Sequence, residues 1–262
     1  MVTTAGSMQQ PHNRRFPRKL GIASALVVLA LVVWQSGVLN RVPSDYVPDA
    51  IERHLDTGPY PASAMLAGAY LYQQQRPLSC EYASTTIAAT IGGWNITEYD
   101  FDDAVPLNEN PHYGYRGNIW GEWGNTTDYG IYTEPLHDVL ASWGIPSEVI
   151  YAEGDANILK RELSSGHAVV VWLAMRGEVN SFHVQDEEGR SYQLTQYMHV
   201  MTAYGYDEDY VYLSDPGTAV WRTYGWDEFM SMWNVMDGMA LSVMPKSISM
   251  ETDTFLAPTR FT

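Results

Sequence analysis

Residues 168–175 read AVVVWLAM, eight apolar positions with no polar interruption. A run of this length and β-branched content suits a strand covered on both faces, so the chain must supply neighbours on each side and layers above and below. Candidate neighbours follow. HVMTAYGY (199–206) and YVYLSD (210–215) flank the turn-forming DED at 207–209 and read as a hairpin, and MALSVM (239–244) reads as a closing strand. Helical patterns come before and between them. From Glu81 to Ile91 the residues Ala83, Ile87, Ala88 and Ile91 recur at helical spacing until Gly92-Gly93. Residues 133–143 form a second helix, with Thr133 as N-cap and Pro135 in the first turn. Residues 156–166 form a third ending at Gly166, and 226–236 a fourth with Phe229, Met230 and Trp233 on one face. Helix first and antiparallel sheet later is an α+β arrangement.

The front of the chain is different. Residues 20–39, LGIASALVVLALVVWQSGVL, carry no charge, and Arg14, Arg15, Arg18 and Lys19 precede them. Twenty helical residues span about 30 Å, the thickness of a bilayer's hydrocarbon core. The positive flank predicts a cytoplasmic N-terminus and an exported remainder. No small-x-small site stands out in WQSGVLNRV, which favours an uncleaved anchor over a cleaved signal peptide and secretion. The expected organisation is a cytoplasmic basic segment 1–19, a transmembrane signal anchor 20–39, a linker 40–62, one domain 63–246 and a tail 247–262. Beyond residue 41 ten bases face thirty-one acids, a net charge of −21. That surface argues against nucleic acid as a partner.

Cys80 is the only cysteine. No internal disulfide or cysteine-rich zinc site is possible, and no cofactor or metal is expected. A lone cysteine is ordinarily a buried apolar filler. Cys80, however, stands where the helix 81–91 begins. Unpaired N–H groups and the macrodipole there favour a thiolate and offer donors to an oxyanion. A base is also needed. His12, His54, His112, His137 and His167 read as surface or structural residues. His199 stands apart: in a hairpin centred on Asp207 it faces Asp215, and directly opposed side chains lie about 5 Å apart. A carboxylate so placed orients the imidazole and stabilises the imidazolium. The spacing alone suggests this set without specifying it.

The segments Gln74 through LSCEYASTTIAATIGGW, NPHYGYRGNIWGEWG, DYGIYTEPLHDVLASWG, GHAVVVWLA and HVMTAYGYDEDYVYLSDP resemble the bacteriocin-processing cysteine peptidases, family thirty-nine, of the papain-like fold. They are most similar to the stand-alone branch found in exported bacterial proteins. The resemblance spans about residues 70–220 in the family's order. It implies a helix carrying the nucleophile packed on an antiparallel sheet carrying His and Asp. It places the nucleophile on Cys80, the base on His199, the orienting acid on Asp215 and the oxyanion-hole glutamine on Gln74. The residues alone equally nominate Gln73 or Gln75 for that last role. Many members have Gly after the nucleophile, whereas here it is Glu81, as is common in the exported branch. With no P-loop present, a transporter role is unsupported.

In the glycine- and aromatic-rich stretch 110–132, Asn118, Trp120, Trp123 and Asp128 either line a substrate groove or form a packed loop. The expected function is a membrane-anchored extracytoplasmic cysteine peptidase acting on a peptide or protein through a thioester. The alternative is a non-catalytic papain-like module that binds a peptide or cell-wall component.

Overall fold

The computed structural model describes residues 60–246. The basic segment 1–19, the anchor 20–39, nearly all of the linker and the tail lie outside the described residues. Among those described, no helix is long and apolar enough to cross a membrane.

Strand β3 (Ala168–Ala174) is buried at every position, as its composition requires. It lies between β9 (Met239–Val243) and β6 (Met198–Tyr206) in an antiparallel sheet. The sheet continues outward to β2 (Ser147–Tyr151) on one side and to β7 (Tyr210–Asp215) and β8 (Val220–Gly225) on the other. A short β1 (Ala64–Met65) also pairs with β6. Val169, Val171 and Leu173 share a core with α3 (Ala156–Ser164) and α4 (Trp226–Trp233), through Ile158, Leu159, Leu163, Phe229 and Trp233. Trp172 alternates to the opposite face. There its indole N–H donates to the Ile131 carbonyl at 2.9 Å.

That face is covered by α1 (Cys80–Ile91), in which every residue from Cys80 to Ala89 is buried. Small side chains let the helix approach the sheet closely. Two hydrogen bonds then fix their relative position: Ser84 Oγ donates to Val200 O at 3.0 Å, and Thr202 Oγ1 donates to Ser84 O at 2.8 Å. The first turn of α1 is thereby set over the start of β6.

Several expectations shift. Helix α2 (Thr133–Ser142) has Tyr132, in extended conformation, at its N-cap, and Thr133 is already helical. The fourth helix stops at Trp233 and passes into a 3₁₀ turn at Asn234–Met236, ended by Asp237 in the left-handed region. Strands β2 and β8 were not expected, and neither was a separate hairpin of β4 (Ser181–Gln185) and β5 (Ser191–Thr195). Polar, half-exposed sequences such as SFHVQ and VWRTYG lack the apolar signal that marks β3. Asn110 Nδ2, donating to Asp186 Oδ2 at 2.9 Å, ties the β4–β5 turn to the preceding loop.

Three elements meet at Glu162, a buried carboxylate. It accepts hydrogen bonds from Arg161 Nε at 2.8 Å and Ser242 Oγ at 2.7 Å, and contacts His167 Nδ1 at 2.8 Å. Burial alone would raise its pKa, but the His167 and Ser242 hydrogen bonds and the Arg161 charge outweigh it and hold it at about 2. A depressed carboxylate pKa stabilises the fold above the unfolded value, here 4.5, and that contribution is lost as pH falls toward 2. Glu162→Gln should therefore cost about 3 kcal/mol at pH 7. In urea titrations the difference from wild type should shrink across that window; a pH-independent difference would contradict the linkage.

Candidate active site

The segment entering α1 is held on several sides. Leu78 donates its N–H to Ile119 O at 3.1 Å and accepts from Tyr115 Oη at 2.6 Å, so the 110–132 loop grips the residues before Cys80. The Ser79 hydroxyl lies between the Arg76 carbonyl and Glu98 Oε2, at 3.1 and 3.0 Å. The 110–132 loop is thus a packed loop that also closes round the Cys80 end of the helix.

Cys80 is the first residue of α1, and its thiol is buried. Sγ donates to Glu81 Oε2 at 3.3 Å. Burial, reinforced by the Glu81 charge, pushes the thiol well above its ordinary pKa. The helix N-terminus therefore does not by itself produce a thiolate, in keeping with the need for a base: desolvation of the anion outweighs the dipole.

Glu81 is fully buried, and Oε1 accepts the Ile131 N–H at 3.2 Å. Burial pushes its carboxyl up to about 7, against the lowering effect of its backbone and thiol hydrogen bonds. The chain opposite is Gly130, with φ +135°, where a Cβ would lie 1.8 Å from Glu81 Oε1. Only glycine leaves room for the carboxyl.

His199 Nε2 meets Asp215 Oδ1 at 2.7 Å. The hairpin does not deliver this pair by direct opposition. Its register is Thr202↔Ser214 and Ala203↔Leu213, shifting to Gly205↔Tyr212 across a bulge at Tyr204. Continued toward the cleft, that register sets Asp215 opposite Met201, so His199 reaches it diagonally. The turn is centred later than Asp207, because Asp207 Oδ1 caps it by accepting from the N–H groups of Asp209 and Tyr210.

Asp215 also accepts from Gly217 N–H at 2.8 Å, Thr218 Oγ1 at 3.0 Å and Arg222 Nε at 3.0 Å. Burial opposes ionisation here. The hydrogen bond and charge of His199, with Arg222 and Thr218, still hold the carboxyl far below the usual range. An ionised Asp215 keeps the proton on Nε2 and leaves Nδ1 as the basic nitrogen. Gly217 packs under the ring: a Cβ there would sit 3.1 Å from His199 Cε1.

Gln74, Cys80, His199 and Asp215 line one cleft of about 330 Å³, together with Trp123, Met175, Met201 and Arg222. The backbone N–H of Gln74 donates to Pro216 O at 2.9 Å, joining the two halves of the site. Its side-chain N–H groups donate to the carbonyls of Arg76 and Pro77, both at 2.9 Å. Trp123 reaches the cleft, its indole donating to Met198 O at 2.7 Å. Asn118 and Trp120 are not among the lining residues. Asn118 Oδ1 instead accepts the Trp120 N–H, closing a turn, and the Trp120 ring is exposed. Arg222 and Gly217 escaped the sequence reading because β8 did. Glu81 was visible beside the cysteine, but nothing in its spacing announces Gly130 as its partner.

Residues 66–241 match the model of the Peptidase_C39 like family. Among solved structures, a protein described as a C39-like peptidase from Bacillus anthracis is similar, with a TM-score of 0.61 and 21% identity over 71% of this chain and 98% of that one. The peptidase domain of Streptococcus ComA, a bi-functional ABC transporter, gives 0.42 and 14% over 68% and 99%. Xylellain, a cysteine protease from Xylella fastidiosa, gives 0.38 and 11% over 72% and 88%. No curated protein matches. With its family model covering most of the helix-plus-sheet domain that holds the cleft, the chain belongs to the Peptidase_C39 like family and is a papain-like cysteine peptidase.

Proposed function

We propose that the protein hydrolyses a peptide or amide bond through Cys80, His199 and Asp215, in an exported domain anchored to the membrane by residues 20–39. The observation that carries the catalytic reading is the His199–Asp215 contact in the cleft that also holds the only thiol. The topology rests on the uncharged run and its basic flank.

His199 Nδ1 takes the Cys80 proton as sulfur attacks the substrate carbonyl carbon. The oxyanion of the tetrahedral intermediate is met by the Cys80 backbone N–H, which has no partner within the helix at this position. Gln74 assists once one of its N–H groups leaves the Arg76 or Pro77 carbonyl. The intermediate collapses as the imidazolium protonates the leaving amine, giving a thioester. His199 then deprotonates a water that attacks the thioester, and the thiol regains its proton as it leaves. Asp215 holds the ring throughout, and Trp123, Met175 and Met201 offer an apolar wall to the substrate.

Full-length protein assayed against a peptide library should show turnover that Cys80→Ala abolishes and His199→Ala reduces by about 10³-fold or more. Alkylation of Cys80 by iodoacetamide should slow in parallel in His199→Ala. Turnover that survives Cys80→Ala would overturn the reading. Peptide binding retained with no turnover by wild type would establish the binding module instead.

Gly217→Val should push the imidazole off its seat and lower kcat/KM by about 10²-fold, with little change in melting temperature. Unchanged kinetics would show that the ring does not depend on this contact.

A further inference from the structure

Four glutamates are buried among the described residues: Glu81, Glu98, Glu134 and Glu162. Three of them face a basic side chain. Glu98 lies 3.8 Å from Arg76, Glu134 lies 3.0 Å from His112, and Glu162 contacts Arg161 and His167. Glu81 has no Lys, Arg or His within ion-pair distance among the described residues. Its carboxyl meets the Cys80 sulfur instead, at 3.3 Å, while its other oxygen is fixed by the Ile131 N–H. Gly130 leaves the space it occupies. The carboxyl is thus anchored at one end and aimed at the nucleophile at the other.

We propose that Glu81 is a second acid–base group of the active site, which permits thiolate formation when protonated and suppresses it when ionised. This rests on the reading of Cys80 as nucleophile and His199 as its base. A carboxylate and a thiolate in contact in one dry pocket are like charges, and both do not ionise together. With Glu81 ionised, the thiol is held as a donor to Oε2. With Glu81 protonated, its O–H donates to sulfur, and the thiol proton passes to His199 Nδ1. The products are a thiolate and an imidazolium, with the Glu81 proton retained.

The groups around Glu81 leave this pair in control. On its own helix are Cys80 and Tyr82. On the 110–132 loop are Tyr115 and Tyr129. Burial, with the Glu81 charge contributing, pushes all three tyrosines far above the ordinary range, so they stay neutral. From the sheet, His199 and Asp215 line the cleft that reaches Cys80, and Asp215 is ionised throughout. The Glu81 carboxyl, pushed up to about 7 by burial, titrates within the working range of an enzyme.

The test measures the iodoacetamide alkylation rate of Cys80 against pH in full-length wild type and Glu81→Gln. The glutamine amide keeps both contacts, accepting from Ile131 and donating to sulfur, but does not ionise. Wild-type reactivity should pass a maximum on the acidic side and fall as pH rises through about 7. Glu81→Gln should lack that fall and alkylate about tenfold faster than wild type at pH 8, one unit above the Glu81 value. At pH 5.5 the two should agree within about twofold. Superimposable profiles, or a variant slower at every pH, would overturn the proposal. If the variant fails to fold, the Glu81 carboxyl carbon is followed by NMR in wild type and in Cys80→Ser. A titration near neutrality that the Cys80 change shifts supports coupling, and an unshifted one refutes it. Peptide turnover in the same samples separates the two readings. Turnover dependent on Cys80 and His199 with superimposable alkylation profiles removes Glu81 alone. A Glu81 effect on the thiol without turnover removes the peptidase reading alone.

Discussion

The reciprocal bonds between Ser84 and the β6 backbone, with Thr202 returning one to Ser84, decide where everything else in the site can stand. Sulfur comes from the first residue of a helix and the imidazole from a strand, elements 116 and 118 residues apart at the bonded positions. Apolar packing is non-directional and would let a helix of small residues slide along the sheet. Two buried hydrogen bonds at one point remove that freedom, because a displaced helix would leave both hydroxyls unsatisfied. The relation between the Cys80 thiol and the His199 imidazole is therefore a property of the α1–sheet interface.

The second layer of the design is electrostatic. Asp215 is surrounded by donors and stays charged, whereas Glu81 is surrounded by apolar and neutral groups and tends to hold its proton. Two carboxyls near one cleft are thereby given widely separated pKa values by their environments. The thiol sits nearer the second. Its burial, with the Glu81 charge, suppresses the free thiolate despite the helix N-terminus.

What could be read in advance follows a physical division. Strand β3 and helix α1 announce themselves because their residues are buried on all sides and must be apolar or small. Asp215 was found as the partner of His199, although for a reason that does not hold: the reach is diagonal across a bulged hairpin, not a direct opposition. Side chains two positions out of register still meet when one is as long as histidine. The unforeseen parts were β2, β8 and the β4–β5 hairpin, whose short, mixed sequences lack the long apolar run of β3; SFHVQ and SYQLT alternate polar and apolar residues, but over only five positions each. With β8 went Arg222. Gly130 was hidden for another reason, since a contact between residues 81 and 130 depends on how the 110–132 loop folds back, which local pattern does not encode.

The two walls of the cleft have different origins. Trp123 and the Glu81-binding backbone belong to a loop held by hydrogen bonds from Tyr115, Leu78 and Trp172, whereas Gly217 and Thr218 belong to a tight turn between sheet strands. The separation of the thiol and the imidazole is set by the helix and sheet, and the polarity of the space around the thiol is set in part by the loop. Alterations in the loop can therefore retune the chemistry of the thiol, or the shape presented to a substrate, without moving the sulfur and the imidazole apart.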